Sequence, residues 1–193
     1  MSVARSTFLT PEEYLEHERK AEYKSEYLRG EVFAMAGASP LHALIITNLV
    51  REFSQALRSR NCNVYSSDLR VRVRPTGLFT YPDVVVVCGA AEFADDQDDT
   101  LTNPTLIVEV LSESTQNYDR GQKFQHYRTL PSLREYLTVG QDAVHIEQWT
   151  RQPDGRWLLT ESSDPAAELV FDSIGVRIGI ATLYEKVELP AVE

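Results

Sequence analysis

The sequence has little cysteine, no long apolar run and no excess of basic residues. Its two cysteines, Cys62 and Cys88, are too few for a disulfide framework and lack the spacing of a metal site, so buried free thiols are expected. No apolar stretch approaches the roughly 18 residues that a membrane span needs. The N-terminal residues lack the apolar block of a secretory signal. These absences predict a cytoplasmic protein that does not contact a membrane.

The scarcity of positive charge bears on possible partners. A net charge of −10 disfavours nucleic-acid binding by the whole surface, because phosphate neutralisation supplies much of that affinity. The charge is uneven, however. Five acids crowd into 92–99, a predicted exposed loop, while 51–74 contains six arginines against one Glu and one Asp. The second segment leaves room for a local basic face.

The remaining composition is that of one globular domain over residues 1–193. The content of 42% hydrophobic and 25% charged residues is typical of a folded protein, and the length is enough to bury a substantial core. No internal repeat, low-complexity tract or linker interrupts the chain. A single domain is therefore expected.

Periodicity and capping signals place the elements. Thr10-Pro11-Glu12-Glu13 has the form of a capping box and predicts a helix over 11–19. A second helix should open at Ser39-Pro40, with apolar residues at three- and four-residue steps. The remaining patterns predict a helix over 118–129 and strands at 26–35 (two, around Gly30), 64–74, 81–87, 104–111, 135–139, 144–150, 157–161 and 176–180, the last before a short helix. The economical fold is α/β (α+β), with a single mixed central β-sheet flanked by helices and a C-terminal β-meander.

Residues 64–74 alternate between apolar and basic side chains, which is typical of a half-buried strand. Arg70, Arg72 and Arg74 occupy its charged face. They could line a track for DNA, or the face could simply be solvated.

Two acids interrupt the apolar strands. Glu109 lies inside Leu-Ile-Val-Glu-Val-Leu, where an ionised carboxylate is costly to bury without a partner. Asp83 begins a second apolar run. If the two strands are neighbours, both carboxylates could meet at one Mg²⁺ or Mn²⁺ ion, since hard cations prefer oxygen ligands. Two alternatives stay open: turn chemistry at Asp83 and a structural ion pair at Glu109.

The spacing of these acids resembles a known pattern. Pro82-Asp83 followed by Glu109 in a hydrophobic strand is similar to the PD-(D/E)xK nuclease superfamily, which has the restriction-endonuclease-like fold. A large bacterial family of such proteins is a closer match. The matching segments, in order over about 26–139, are EYLRGEVFAMAGASPLH, PDVVVV, LIVEVLSESTQNYDRGQKFQHY and REYLTV.

The resemblance implies roles for particular residues. Asp83 and Glu109 would hold the metal, and a lysine would assist the attacking water. Leu111 stands where the superfamily usually has that lysine, so the closer family implies that Lys123 replaces it. Asp119, Lys123 and Tyr127 would share one helix face, although a surface Asp–Lys pair is the alternative.

Further residues have weaker assignments. Glu31 matches an acid of the family pattern and is a candidate metal ligand, or else an exposed strand residue. His42 could face the cleft or contact phosphate, although a partly buried structural histidine is favoured. The expected function is a Mg²⁺-dependent endonuclease acting on DNA as a homodimer. The alternatives are a non-catalytic interaction or regulatory protein with this fold, and a metal-dependent hydrolase of a smaller phosphoester.

Overall fold

The structure is a computed structural model that describes residues 8–35, 37–112 and 116–190. The N-terminal residues 1–7 and the Glu113–Thr115 part of the family-like segment therefore lie outside the described residues. The helical elements are α1 (Pro11–Glu18), α2 (Pro40–Leu57), α3 (Gln116–Tyr118), a π-helical turn (Asp119–Lys123), α4 (Phe124–Tyr127) and α5 (Ile180–Leu183). The strands are β1 (Ser25–Leu28), β2 (Glu31–Ala34), β3 (Cys62–Ser66), β4 (Arg70–Val73), β5 (Leu78–Thr80), β6 (Val84–Cys88), β7 (Thr100–Leu101), β8 (Leu106–Leu111), β9 (Glu135–Gly140), β10 (Ile146–Arg151), β11 (Trp157–Ser162), β12 (Glu168–Phe171) and β13 (Val176–Gly179).

The strands form two mixed sheets and a hairpin. The first sheet has the order β2-β1-β5-β4-β7, the second has the order β11-β10-β9-β8-β6-β3, and β12 pairs with β13. Each sheet contains one parallel pair, β4 with β7 and β8 with β9. The mixed α/β class and the β9–β11 meander are confirmed. The strands are divided between two sheets, however, instead of joining a single one.

The division occurs within the segment predicted as one strand over 64–74. The Leu69 N–H donates to the Ser66 carbonyl, which closes a turn between β3 and β4. As a result β3 pairs with β6 in the second sheet, while β4 pairs with β5 in the first. The polar run Ser66-Ser67-Asp68 interrupts the hydrophobic alternation at this turn, so the prediction of one strand over 64–74 is wrong.

Side-chain caps begin α1 and α2, and α2 packs on the second sheet. Thr10 and Glu13 form the predicted capping box of α1, and the Ser39 hydroxyl caps α2 by accepting the His42 N–H. The apolar stripe of α2 packs on the second sheet, where Ile45, Leu49 and Phe53 join the cluster that contains alternate residues of β6 and β8. The sequence did not predict β12, which pairs with β13 and contributes to the same cluster.

The expectation of free cysteines is wrong. Cys62 on β3 and Cys88 on β6 are directly opposite each other, with their Cα atoms 4.0 Å apart, and their sulfurs form a disulfide. The cross-strand register places them together. No spacing rule along the sequence indicates that register.

Among the helices in the described part of the chain, none combines the length and the apolar character required to cross a bilayer.

Candidate active site

Glu109 lies on β8, a six-residue strand that is buried along its whole length. Successive side chains of a strand point to opposite faces of its sheet. Val108 and Val110 accordingly join the cluster of α2, whereas Ile107 joins the cluster that contains Phe124. Glu109 therefore points away from α2 and towards the helical segment 116–127.

Asp83 immediately precedes β6, the strand that pairs with β8. Strand β6 pairs with β8 through Val84 and Val108, and continuing this antiparallel register by one residue sets Asp83 opposite Glu109. One oxygen of Asp83 accepts the N–H of Val110 at 2.7 Å, and the other lies 3.1 Å from Nε2 of His42. Asp83 is thus adjacent to Glu109 in the strand pairing and adds to the raised pKa of the Glu109 carboxyl, while its own carboxylate contacts His42 of α2. Joint binding of one ion by the two carboxylates stays a prediction.

Lys123 reaches the second acid from the π-helical turn. Its Nζ lies 3.1 Å from Oε1 of Glu109, 3.1 Å from Oε1 of Glu26 and 3.3 Å from Oδ1 of Asp119. All four residues, which we call the Lys123 cluster, are buried. The alternative of an exposed Asp119–Lys123 pair is therefore wrong.

The π-helical turn explains how one short segment supplies two of these residues. A π-helical turn widens the helix locally, and such turns occur frequently at functional sites. In this protein Asp119 and Lys123 both become buried at the two ends of the turn. The hydroxyl of Tyr136 donates to the Asp119 carbonyl at 3.0 Å and fixes the start of the turn to β9.

Tyr127 completes the predicted helix face. Its hydroxyl donates to Oε1 of Glu109 at 2.7 Å, the same oxygen that faces Lys123. Tyr127 is fully buried, so it holds the carboxylate in one position. The predicted shared face of Asp119, Lys123 and Tyr127 accordingly exists.

Glu26 was not singled out from the sequence, yet it contacts Lys123 as closely as Glu109 does. It lies on β1 of the first sheet, and its carboxylate accepts hydrogen bonds from Thr80 at 2.5 Å and from Tyr118 at 3.3 Å. A charged residue beside the apolar residues of a short strand was the available signal. Only the packing of the two sheets shows that Glu26 faces Lys123.

The cluster carries more acid than base, and this imbalance shifts its titration. Burial raises the pKa of the Glu109 carboxyl well above its usual value; Lys123 opposes this, while Asp119 and Asp83 increase it. Burial alone would lower the pKa of Lys123, but the carboxylates of Glu109, Glu26 and Asp119 raise it well above its usual value. The lysine is therefore a cation, and the surplus negative charge remains for a proton or a second cation.

Three predicted site residues do not reach the cluster. Glu31 is exposed on the edge strand β2 and contacts none of the acids there, so its position does not support a role as metal ligand. Arg70 is buried and bound within the protein to Asp99, Thr100 and Tyr81, at 3.0, 2.9 and 2.9 Å. Its guanidinium is thus unavailable to DNA, contrary to the expectation of a basic track.

Arg72 is also turned inward. Its guanidinium carbon lies 5.0 Å from the ring centre of Phe79, a cation–π contact, and its Nε is buried without a hydrogen bond. The acidic loop also holds Arg19, the C-cap residue of α1, through ion pairs with Asp95 and Asp99. Of the arginines predicted to line a DNA track, Arg70 is neutralised within the protein by Asp99, and Arg72 packs on Phe79.

The predicted ligands of Mg²⁺ or Mn²⁺ are two carboxylates. Asp83 and Glu109 offer the oxygen ligands that these ions prefer, and the excess of carboxylates favours a cation. Within the described residues, the acids near Lys123 do not bring three ligand atoms within 4.8 Å of one another. Two carboxylates suffice for Mg²⁺, which usually keeps several water ligands. The residues therefore fit such an ion.

Comparisons with known proteins identify the family of this chain. The model of the Uma2 family, described as "Putative restriction endonuclease", matches residues 11–181. Two uncharacterised proteins of Synechocystis sp. (strain ATCC 27184 / PCC 6803 / Kazusa) are similar: sll1609 is 39% identical over 89% of this chain and 97% of its own length, and slr1290 is 38% identical over 91% of each. A crystal structure from Anabaena variabilis ATCC 29413, described as a putative nuclease belonging to DUF820, has a TM-score of 0.74 at 16% identity, covering 92% of this chain and 98% of that one. That structural likeness shows that the two chains share a fold, and the family match over residues 11–181 shows that this chain belongs to the Uma2 family.

Proposed function

We propose that this protein is a Mg²⁺- or Mn²⁺-dependent endonuclease that hydrolyses phosphodiester bonds in DNA. One observation carries the proposal: the Lys123 ammonium lies 3.1 Å from Glu109, and Asp83 immediately precedes the adjacent strand β6. A lysine from the π-helical turn that follows β8 would thereby supply the charge that Leu111 cannot supply from the strand. This contact, with Asp83 at the start of the neighbouring strand, supports a site built from two acids and one lysine.

Each side chain has a part in this function. Asp83 and Glu109 would hold the ion, which when bound polarises a phosphoryl oxygen and lowers the pKa of a water. His42 and the Val110 N–H fix the Asp83 carboxylate. Lys123 would orient the attacking water or stabilise the charge that develops on the phosphate.

The proposal includes a homodimer in the cytoplasm, because cutting both strands of a duplex requires two sites. The candidate interface is the C-terminal meander. Its outer strand β11 is at the edge of the second sheet and exposes Leu158 and Leu159. Sedimentation velocity would test this arrangement, and a monomer at micromolar concentration would contradict it.

Plasmid nicking tests the activity directly. Purified protein with Mg²⁺ or Mn²⁺ should convert supercoiled plasmid to open circles. The variants Asp83→Asn, Glu109→Gln and Lys123→Met should lose that activity while remaining folded by circular dichroism. Glu168→Gln, which changes an exposed acid on β12, is the matched control and should cut as the parent does. Equal cutting by all variants would identify a contaminant and refute the proposal.

A non-catalytic protein is the second candidate, and one observation favours it. Both oxygens of Asp83 already have partners, and Lys123 already neutralises part of the acid charge. Such a cluster would stabilise the fold without any ion. Calorimetric titration with Mg²⁺ and Mn²⁺ separates the two candidates, because a purely structural cluster would bind neither at millimolar concentration.

The net charge of −10 favours a third candidate, a hydrolase of a smaller phosphoester. An acidic surface repels a long duplex more strongly than it repels a small monoanionic ester. A panel containing plasmid, single-stranded DNA and bis(p-nitrophenyl) phosphate would distinguish them. Cleavage of the small ester alone would replace DNA as the substrate and keep the site.

A further inference from the structure

A second group of metal-ligating side chains lies on the β10–β11 end of the second sheet. His145 precedes β10, Glu147 is on β10, and Glu161 is on β11. One ligand atom from each lies within 4.8 Å of the other two. We call these three residues the His145 group.

The distances suit a small transition-metal ion. Nε2 of His145 lies 3.5 Å from Oε1 of Glu147 and 3.9 Å from Oε1 of Glu161. Tetrahedral Zn²⁺ with bonds of about 2.0–2.2 Å holds its ligand atoms about 3.3–3.6 Å apart. A small movement of the Glu161 side chain, which is 56% exposed, would complete this geometry.

The strand register creates a repulsion that a cation would relieve. Glu147 and Glu161 are directly opposite each other on antiparallel strands, and like charges in that position destabilise a sheet. Arg120, whose Nε lies 2.9 Å from Oε1 of Glu147, compensates the charge of that carboxylate, which leaves Glu161 as the member of the pair that a further cation would stabilise. Within the described residues, His145 is the basic group within 4 Å of Glu161.

The imidazole is oriented for metal binding. Nδ1 of His145 lies 3.2 Å from the hydroxyl of Ser163, which can accept a hydrogen bond from Nδ1–H. In that tautomer the Nε2 lone pair faces two carboxylates, an arrangement that a metal ion between them would stabilise. The Thr138 hydroxyl donates to Oε2 of Glu147 at 3.2 Å. Hydrogen bonds of this kind commonly orient metal ligands.

We propose that His145, Glu147 and Glu161 form a Zn²⁺ site separate from the Lys123 cluster. One imidazole and two carboxylates supply three ligands and leave a fourth position for water. The mixture of nitrogen and oxygen donors favours Zn²⁺ over Mg²⁺, which prefers oxygen. The inference does not depend on nuclease activity.

Calorimetric titration of the chelator-treated full chain with Zn²⁺ tests the site. We expect one Zn²⁺ per chain, with affinity reduced at least about tenfold in His145→Gln and in Glu161→Gln. Glu168→Gln, the exposed acid of the neighbouring hairpin, should bind as the parent does. The double variant Asp83→Asn/Glu109→Gln should also keep this Zn²⁺, which separates the result from the fate of the proposed nuclease.

Two outcomes would overturn the proposal. Unchanged Zn²⁺ affinity in both His145→Gln and Glu161→Gln would mean that the ion binds elsewhere on the acidic surface. Loss of the ion in Asp83→Asn/Glu109→Gln would place it at the other acids. Co²⁺ absorption in the same variants gives a second readout, because a nitrogen ligand changes the visible spectrum and the Gln variant of His145 would lose that change.

Discussion

Replacing Lys123 with methionine removes the cation of the Lys123 cluster and leaves three buried carboxylates around an apolar side chain. Breaking a buried ion pair by removing one partner costs about 3–5 kcal/mol, because the other charge stays buried without compensation. Lys123 contacts three acids within 3.3 Å, so we expect a loss of at least this size at neutral pH without metal. For a chain of this length the melting temperature should fall by about 6–20 °C.

Urea unfolding followed by circular dichroism, in buffer with chelator, measures the effect. Lys20→Met is the matched control, because Lys20 pairs with Glu16 on an exposed helix surface and should contribute little. Adding Glu109→Gln to Lys123→Met removes one of the buried carboxylates that the variant leaves without a cation. It should recover part of the lost free energy of unfolding. The recovery distinguishes an electrostatic cause from poor packing of methionine.

The pH dependence has a definite sign. The pKa of Glu109 is already raised in the folded protein, so the fold retains a proton that the unfolded chain releases above pH 4.5. Stability falls with pH wherever the folded state binds more protons. Without the lysine the Glu109 pKa rises further, so the folded state keeps this proton to higher pH. The difference in unfolding free energy between Lys123→Met and the parent should therefore widen from pH 5 to pH 8. Lys123 itself stays charged over that range because its pKa is raised.

A Lys123→Met variant as stable as Lys20→Met at pH 8 would refute the electrostatic role of Lys123. An equal loss of stability at pH 5 and pH 8 would also refute it, since burial of charge would then not be the cause.

Three further changes have expected outcomes. Asp99→Asn should lower the free energy of unfolding in urea by about 1–3 kcal/mol, because it leaves the buried Arg70 guanidinium without this carboxylate partner; the loss is smaller than for a fully buried pair because the Asp99 side chain is 34% exposed. Arg19 and the other partners of Asp99 lower its pKa, so this contribution is present at neutral pH. It should disappear as the pH falls through the acid range. Cys62→Ser should lower the free energy of unfolding by about 3 kcal/mol under non-reducing conditions, because the disulfide closes a loop of 26 residues. In reductant the variant and the parent should be equally stable. Equal unfolding curves of the parent with and without reductant would contradict this. Tyr127→Phe should lower the free energy of unfolding by about 1.5–3 kcal/mol, because it removes a hydrogen bond to a buried carboxylate. The same loss should raise the Glu109 pKa further, which can be measured as a steeper fall of stability with pH.

Local patterns determined much of the fold. The capping box at Thr10, the apolar stripe of α2 and the strand-like runs are short-range signals, and each placed its element to within a few residues. The polar run 66–68 marks the break between β3 and β4, which the prediction of one strand over 64–74 missed. Hydrophobic periodicity reports which face is buried, but it does not report which sheet a strand joins.

The sequence predicted some residues of the candidate site and missed another. Sequence reasoning indicated Asp83, Glu109 and Lys123, because a charge within an apolar strand is costly and the family-like segments fixed the lysine. It did not identify Glu26, which comes from the other sheet.

Tertiary structure alone decided the partners of residues distant in the sequence. Cys62 meets Cys88 through strand register, and Arg70 is buried by packing against the acidic loop instead of facing solvent. The sequence by itself determined which residues are costly to bury, since that cost is a property of the side chain and its neighbours along the chain. Which partner offsets the cost depends on contacts between strands and helices that are far apart in the sequence, and only the assembled fold establishes them.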